Sequence, residues 1–275
     1  MPIPEGQYVT IANGYKIHYL DQGEGHPVVF LHGSGSGASG HSNFKGNYPF
    51  LAANGYRVIV PDHIGYGYSD KPDDVEYPLD FFVECLVQTL DAIGVNECSL
   101  IGNSLGGAIA LKFALDYPGR VKTLNLMAPG GIEEQASYFT MPGMQIMKEV
   151  FINGASREAL ESFIRKALVY RDDCVDDELV DERWDIAQKQ NNQVIMTMKV
   201  PDMTERLPEI ACPSIAFWGL NENMMPQTGI MKLANGLKNH RTVLVSECGH
   251  WVMAEHRDMF NRYALDFLNE HTKKS

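Results

Sequence analysis

A mostly parallel β-sheet flanked by helices, with an all-helical stretch inserted late, is the α/β architecture this sequence predicts, on three observations. Short apolar runs ending in glycine or turn residues alternate with longer segments of helical periodicity, the rhythm of strands joined by crossover helices. From about residue 132 to 208 the strand signals stop and helix-like segments follow one another. The chain of 275 residues is 44% hydrophobic and 21% charged, the size and average composition of a globular protein with a large core.

In chain order, strands are read at residues 15–21, 28–32 and 57–61, the second closed by Gly33 and the third by Pro61. A helix over 79–93 leads to a strand at 99–102, a second helix over 105–117 follows a glycine-bounded turn, and a strand at 123–127 ends before Pro129-Gly130-Gly131. The helical stretch then carries segments at 156–169 and 176–190. Ser156 is a candidate N-cap, and Leu160, Phe163, Ile164, Ala167 and Leu168 recur at helical spacing behind it to give one apolar face. Strands at 214–218 and 242–246 and a closing helix at 259–269 complete the series. The division expected is a core of residues 1–131 and 209–275 and a helical lid of 132–208. Met141, Met144, Met147, Met196, Met198 and Met203 gather in that lid; flexible thioethers suit either an adaptable apolar pocket or gap-filling in a small helical core.

Composition also excludes partners. A formal net charge of −12 without a basic stripe opposes nucleic acid. No window approaches the ~18 apolar residues of a membrane span, and the first twenty residues lack a basic start followed by an apolar run, so neither membrane insertion nor secretion is expected. Cys85, Cys98, Cys174, Cys212 and Cys248 are odd in number and never spaced as CxxC. A disulfide framework and a zinc site are both unsupported, and a reducing cytoplasm fits best.

The chemistry is carried by Gly102-Asn103-Ser104-Leu105-Gly106, a GxSxG string lying between an expected strand and an expected helix. A sharp turn there exposes a serine hydroxyl, and glycines two residues either side let strand and helix approach without Cβ clashes, so Ser104 is the candidate nucleophile. A serine needs an imidazole to take its proton. His250 is the choice among nine histidines, because it follows a strand through Glu247-Cys248-Gly249 near the end of the chain. The acid that orients it should lie on the turn after residues 214–218, where the one carboxylate is Glu222; Glu133, after the preceding strand, is the alternative. Backbone donors for an oxyanion are expected from Leu105 and from the loop His32-Gly33-Ser34-Gly35-Ser36-Gly37, through Ser34. That loop lacks the signatures of a phosphate cradle, and no cofactor or metal is implied. A serine at the elbow also excludes the dehalogenase and epoxide-hydrolase chemistries, which need aspartate there.

Taken together, His32-Gly33-Ser34-Gly35 through Ser42-Asn43, Asp62-His63-Ile64-Gly65-Tyr66-Gly67-Tyr68-Ser69-Asp70, the serine elbow, Arg183-Trp184, Trp218-Gly219 and Gly249-His250-Trp251 resemble the meta-cleavage-product hydrolases of the α/β-hydrolase superfamily. The resemblance runs from about Tyr8 to Leu268. It implies the α/β-hydrolase fold, a 2-hydroxy-6-oxo-dienoate substrate cut at a carbon–carbon bond, and a homodimer. It also implies that Asn43, Asn103, Arg183 and Trp251 line a polar subsite for the carboxylate and 2-oxo end. A guanidinium grips a carboxylate with two charge-assisted bonds; the competing reading makes Arg183 an exposed helix residue paired with Asp181 or Glu182. Trp251 could equally pack beside the catalytic loop, and the two asparagines could serve their own turns. Two positions depart from the family pattern: Glu222 stands where aspartate is common, and Ser36 where proline is frequent. Because the same machinery cleaves esters, carboxylesterase side activity is expected beside carbon–carbon cleavage; a plain carboxylesterase is the competing enzyme class, and a non-catalytic binding protein on a hydrolase scaffold is the reading outside enzymes.

Overall fold

In the computed structural model, which describes residues 5–153 and 155–273, eight strands form one sheet. Residues 1–4 and 274–275 of the expected core, and residue 154 of the helical stretch, lie outside the described residues. The strands are β1 (Gln7–Thr10), β2 (Lys16–Gln22), β3 (His26–Leu31), β4 (Tyr56–Pro61), β5 (Cys98–Asn103), β6 (Val121–Met127), β7 (Ser214–Gly219) and β8 (His240–Val245). Their spatial order is β1-β2-β4-β3-β5-β6-β7-β8. Pairing is antiparallel at β1–β2 and β2–β4 and parallel from β4 to β8.

Seven strands fall within two residues of where the sequence puts them. The one not anticipated is β1, four residues long and largely exposed, too short and too polar to show a period. Central strands are apolar on both faces, as a sheet covered on both sides requires. Val29 and Leu31 of β3 face one core and Val28 and Phe30 the other; Ile59 and Val58 of β4 divide the same way.

The helices are α1 (Gly40–Phe44), α2 (Tyr48–Ala53), α3 (Leu79–Ala92), α4 (Leu105–Asp116), α5 (Gln135–Phe139), α6 (Pro142–Asn153), α7 (Arg157–Phe163), α8 (Asp177–Ala187), α9 (Gln193–Thr197), α10 (Thr228–Gly236), α11 (Val252–Glu255) and α12 (Arg257–Thr272). Helices α3 and α4 cover one face through Phe82, Leu86, Ile109 and Phe113, and α12 covers the other through Phe260, Ala264 and Phe267. In the expected core, helices α1, α2, α10 and α11 are not anticipated by the sequence, being four to nine residues long.

Between β6 and β7 the described residues form helices and turns. Ser156 caps α7, accepting from Ala159 N at 3.1 Å. The helix read through residue 169 changes character at Ile164–Leu168, which winds as a π turn. Such turns leave backbone groups outside the α-helical ladder and recur at functional sites. Among the methionines, Met147 reaches the cavity described below, Met203 fills the core, and Met196 is 77% exposed. Both readings of that cluster therefore apply, to different members. Among the described residues no helix is long and apolar enough to cross a membrane.

Candidate active site

The elbow forms where β5 gives way to α4. Ser104 has φ 56° and ψ −116°, in a region that side-chain-bearing residues avoid, at a cost of about 1–3 kcal/mol. Ser104 N donates to Met127 O at 3.0 Å, and Ser104 O accepts from Gly130 N and Ala108 N at 2.9 and 3.0 Å, so the strained residue is held from both sides. A Cβ on Gly106 would lie 2.0 Å from Leu31 O, and one on Gly102 would lie 2.5 Å from Gly106 O. The spacing of the motif is thus a packing requirement of strand against helix.

Glu222 and His250 meet from the ends of β7 and β8. His250 Nδ1 lies 2.7 Å from Glu222 Oε2, both side chains essentially sealed from solvent. A carboxylate only accepts, so Nδ1 carries the proton and Nε2 keeps its lone pair. The other oxygen, Oε1, accepts from Met224 N at 2.6 Å and Met225 N at 3.2 Å. The extra methylene of glutamate is absorbed by a turn that folds back and clamps its carboxylate. Glu133, the alternative, is spoken for elsewhere: it accepts from Thr228 Oγ1 at 2.6 Å and pairs with Lys232 Nζ at 2.7 Å.

Ser104 and His250 line one cavity together with Gly33, Ser34, Asn43, Asn103, Met147, Phe163, Leu168, Arg183, Met224 and Trp251. All nine residues singled out from the sequence are accounted for here: eight line this cavity or bond to a residue that does, and Leu105 opens α4 beside Ser104. The first N–H groups of a helix have no intrahelical acceptor, which leaves that of Leu105 available at the elbow. On the facing loop, His63 N donates to His32 Nε2 at 3.0 Å, so His32 Nδ1 is protonated and donates to Gly33 O at 2.7 Å. With the Gly33 carbonyl tied back to the ring, the trans peptide turns the Ser34 N–H the opposite way. Gly33 passes directly over Ser104, since a Cβ there would be 3.3 Å from Ser104 Cβ. Burial pulls His32 down to about 4 and His63 also well below its ordinary range, so both rings stay neutral and keep these roles. The part played by these two histidines is not visible in the sequence, where only the glycines beside His32 stand out.

Arg183, on α8, is 1% exposed. The surface reading is overturned: Asp181 pairs with Arg157 and Glu182 with Lys45, while Arg183 turns inward. Its Nη1 donates to Ser42 Oγ and Asn43 Oδ1, both at 3.2 Å, and its Nη2 to Ser36 O at 3.4 Å. The Trp251 ring centroid is 5.0 Å from the guanidinium carbon, so that tryptophan packs on the cation as well as lining the cavity. Burial pulls the guanidinium down to about 10, still charged at neutral pH. Its hydrogen bonds all go to neutral oxygens, and its Nε is buried without a partner. Asn103 Nδ2 donates to Met127 O and His250 O at 3.3 and 3.4 Å, and its Oδ1 is also buried and unpartnered. The buried cation with its unmatched Nε donor suits an anionic group, and the unmatched Asn103 Oδ1 suits a hydrogen-bond donor such as a hydroxyl.

Comparison with known proteins places this geometry in context. The profile of a family described as alpha/beta hydrolase fold matches residues 26–257. A 2-hydroxy-6-oxo-6-phenylhexa-2,4-dienoate hydrolase of Burkholderia cepacia is 36% identical, the alignment covering 95% of this chain and 96% of that protein. A 2-hydroxy-6-oxononadienedioate/2-hydroxy-6-oxononatrienedioate hydrolase of Comamonas testosteroni is 35% identical, over 95% and 96%. Among solved structures, a meta-cleavage product hydrolase from Pseudomonas fluorescens, a mutant complexed with acetates, superposes with a TM-score of 0.85 at 27% identity, covering 96% of this chain and 98% of that one.

Proposed function

The chain belongs to the α/β-hydrolase family and, within it, to the meta-cleavage-product hydrolases, and from that premise we propose that it hydrolyses the carbon–carbon bond of 2-hydroxy-6-oxo-dienoates formed by aromatic ring fission. The observation that carries the proposal is Arg183, a buried guanidinium bonded only to neutral oxygens in the wall of a cavity it shares with Ser104 and His250. An ion held this way costs several kcal/mol unless an opposite charge arrives, and a dienoate carboxylate supplies one.

In this reading Ser104 is the nucleophilic centre, His250 its base, and Glu222 the acid that holds the imidazole and balances its cation. The substrate's carboxylate and 2-oxo end lies against Arg183, Asn43, Asn103 and Trp251, where it is ketonised. Proton transfer to His250 Nε2 then frees the Ser104 oxygen, or a water in its place, to attack the 6-oxo carbonyl. Leu105 N–H and Ser34 N–H receive the oxyanion. Collapse breaks the C5–C6 bond, its electron pair delocalising through the double bond to the 2-oxo oxygen beside Arg183. Reprotonation yields the 2-hydroxydienoate; where water attacks, the acyl group leaves directly as a carboxylic acid, and where Ser104 attacks, a water deprotonated by His250 then hydrolyses the acyl-Ser104 ester, releasing the acid and returning the proton to Ser104. The cation therefore stabilises charge that develops during cleavage as well as binding the substrate.

The cavity, about 20 Å³, holds little more than one water. In this reading residues 132–208 act as a lid on a core of 1–131 and 209–275, and Met147 and Phe163 part from the cavity wall as substrate enters. The five cysteines, none in a disulfide, fit a cytosolic enzyme, and sedimentation would test the homodimer that the family suggests.

The decisive experiment compares wild type with Arg183→Met on a ring-fission dienoate and on a neutral p-nitrophenyl ester. Loss of a charge-assisted carboxylate grip is expected to lower kcat/KM for the dienoate about 10²- to 10³-fold and to change ester turnover less than about threefold. Equal losses on both substrates would leave a carboxylesterase, with Arg183 a structural residue.

A further inference from the structure

A second buried carboxylate stands on the far side of the histidine loop from Glu222. Glu255 closes α11 and is 8% exposed. Its Oε2 accepts from Tyr170 N and Arg171 N, each at 2.8 Å, and its Oε1 accepts from Gly249 N at 2.8 Å and lies 3.8 Å from Cys248 Sγ. Beside it, Leu168 O accepts from both His250 N, at 2.9 Å, and Trp251 N, at 3.1 Å. Two segments remote in sequence are therefore joined through their backbone groups, directly at Leu168 and by way of the Glu255 carboxylate. One is the chain leaving the π turn at 168–171, and the other is the loop 248–251 that carries His250.

The chemistry of the junction calls for a carboxylate. Three N–H donors converge on one side chain from opposite directions, and only a group with acceptor lone pairs at both ends can meet them. An amide of the same size would turn its own N–H₂ group toward at least one of these donors. The backbones are already at contact distance, since a Cβ on Gly249 would lie 2.9 Å from Tyr170 N and from the Val169 carbonyl carbon. Phe163 and Leu168, which bound the π turn, line the cavity over Ser104, so the junction links the wall of the site to its base.

Resting on the hydrolase reading above, we propose that Glu255 is a positioning residue: it fastens the exit of the π turn to the histidine loop, so that the cavity wall and His250 keep their places relative to Ser104 as a unit. Removing the clamp lets the imidazole drift while the nucleophile, held by β5 and α4, stays where it is. Binding is left largely intact and proton transfer suffers.

The test is Glu255→Gln in the full-length protein, with Glu255→Asp, which keeps the charge but is too short to span both segments. Backbone amide exchange, steady-state kinetics on a neutral p-nitrophenyl ester and a dienoate, and the rate of Ser104 labelling by a fluorophosphonate are measured together. For Glu255→Gln, exchange at Tyr170, Arg171 and Gly249 is expected to quicken together by about tenfold or more, while the Ser156-capped helix is unchanged. Misplacement of the base is expected to lower kcat about 10- to 100-fold, with KM moving less than about threefold and labelling slowing in parallel. Glu255→Asp should show the same pattern at smaller size. Quickened exchange with kcat and labelling within twofold of wild type would overturn the proposal. So would full activity in Glu255→Asp if Glu255→Gln fails to fold, since the carboxylate would then serve folding alone. Failure of the substrate reading is separable: an inert dienoate, with ester turnover and labelling still falling in the variants, removes the substrate class and leaves the positioning role standing.

Discussion

The strand ends and the helical segment build the two halves of this site in different ways. Ser104, Glu222 and His250 stand on turns that follow β5, β7 and β8, members of the parallel run β5-β6-β7-β8 whose hydrogen bonds set the spacing of the strand ends. Arg183, Phe163 and Leu168 come from helices laid over those ends, and they are held by side chains and loops far away in sequence: Arg183 bonds to Ser42, Asn43 and Ser36, 140 to 147 residues earlier. In the proposed mechanism the first half carries generic acyl chemistry and the second selects what is brought to it. A scaffold that keeps its reactive groups on the sheet can change its substrate by altering the cover.

This contrast sets the order of expected effects. The largest belongs to the sheet side. Glu222→Gln leaves the size of the side chain but reverses the hydrogen-bonding demand on His250 Nδ1, and kcat should fall about 10³- to 10⁴-fold on dienoate and ester alike. That uniformity, set against the selective loss expected for Arg183→Met, is the signature of two separable halves. A substrate-selective loss in Glu222→Gln would merge them.

An intermediate effect concerns the loop over the nucleophile. His32 is buried neutral with its pKa depressed from 6.5 to about 4, so the unfolded chain binds the extra proton more readily than the folded one. The stabilisation is therefore complete above pH ~6.5 and lost as pH falls toward ~4, at about 1.4 kcal/mol per unit, or roughly 3 kcal/mol in all. Urea melts across that range should show the decline, and activity should fall with it as the Gly33–Ser34 peptide is released. Stability that stays flat through this window would mean His32 is not held neutral, and the orientation argument for Ser34 would go with it.

The smallest effect tests the cover. Ser156→Ala removes the N-cap of α7 and should cost about 1 kcal/mol. Confined to the helical segment, that loss should appear as faster amide exchange over α7 with the exchange of β3 and β5 unchanged. Faster exchange throughout the sheet would show that core and cover unfold as one.

Much of the site was legible wherever a local rule governs it. The elbow needs glycines two residues either side of Ser104 because strand and helix meet there, and that demand is written in five consecutive residues. Glu222 was found as the one carboxylate on a particular turn, and Ser156 as a capping residue ahead of an apolar face. Short elements escaped notice, β1 of four residues and α10 of nine among them, because so few residues give little signal. Glu255 was missed because a glutamate near the start of a helix is usually solvated, and nothing nearby in the chain announces that Tyr170 and Arg171 will donate to it. His32 and His63 were missed as a pair because their stacking, with centroids 4.1 Å apart, joins the ends of β3 and β4.

The amino-acid sequence by itself determined the alternation of strands and helices, a serine on a tight strand-to-helix turn, and the chain order of Ser104, Glu222 and His250, because hydrophobic period and backbone sterics act over a few residues. Only the tertiary structure decided that Arg183 lies buried against Ser42, Asn43 and Trp251, that Glu222 rather than Glu133 faces His250, and that Glu255 ties the cover to the catalytic loop. Each depends on which distant groups share a low-dielectric interior, where an unmatched donor or charge is expensive enough to dictate its neighbours.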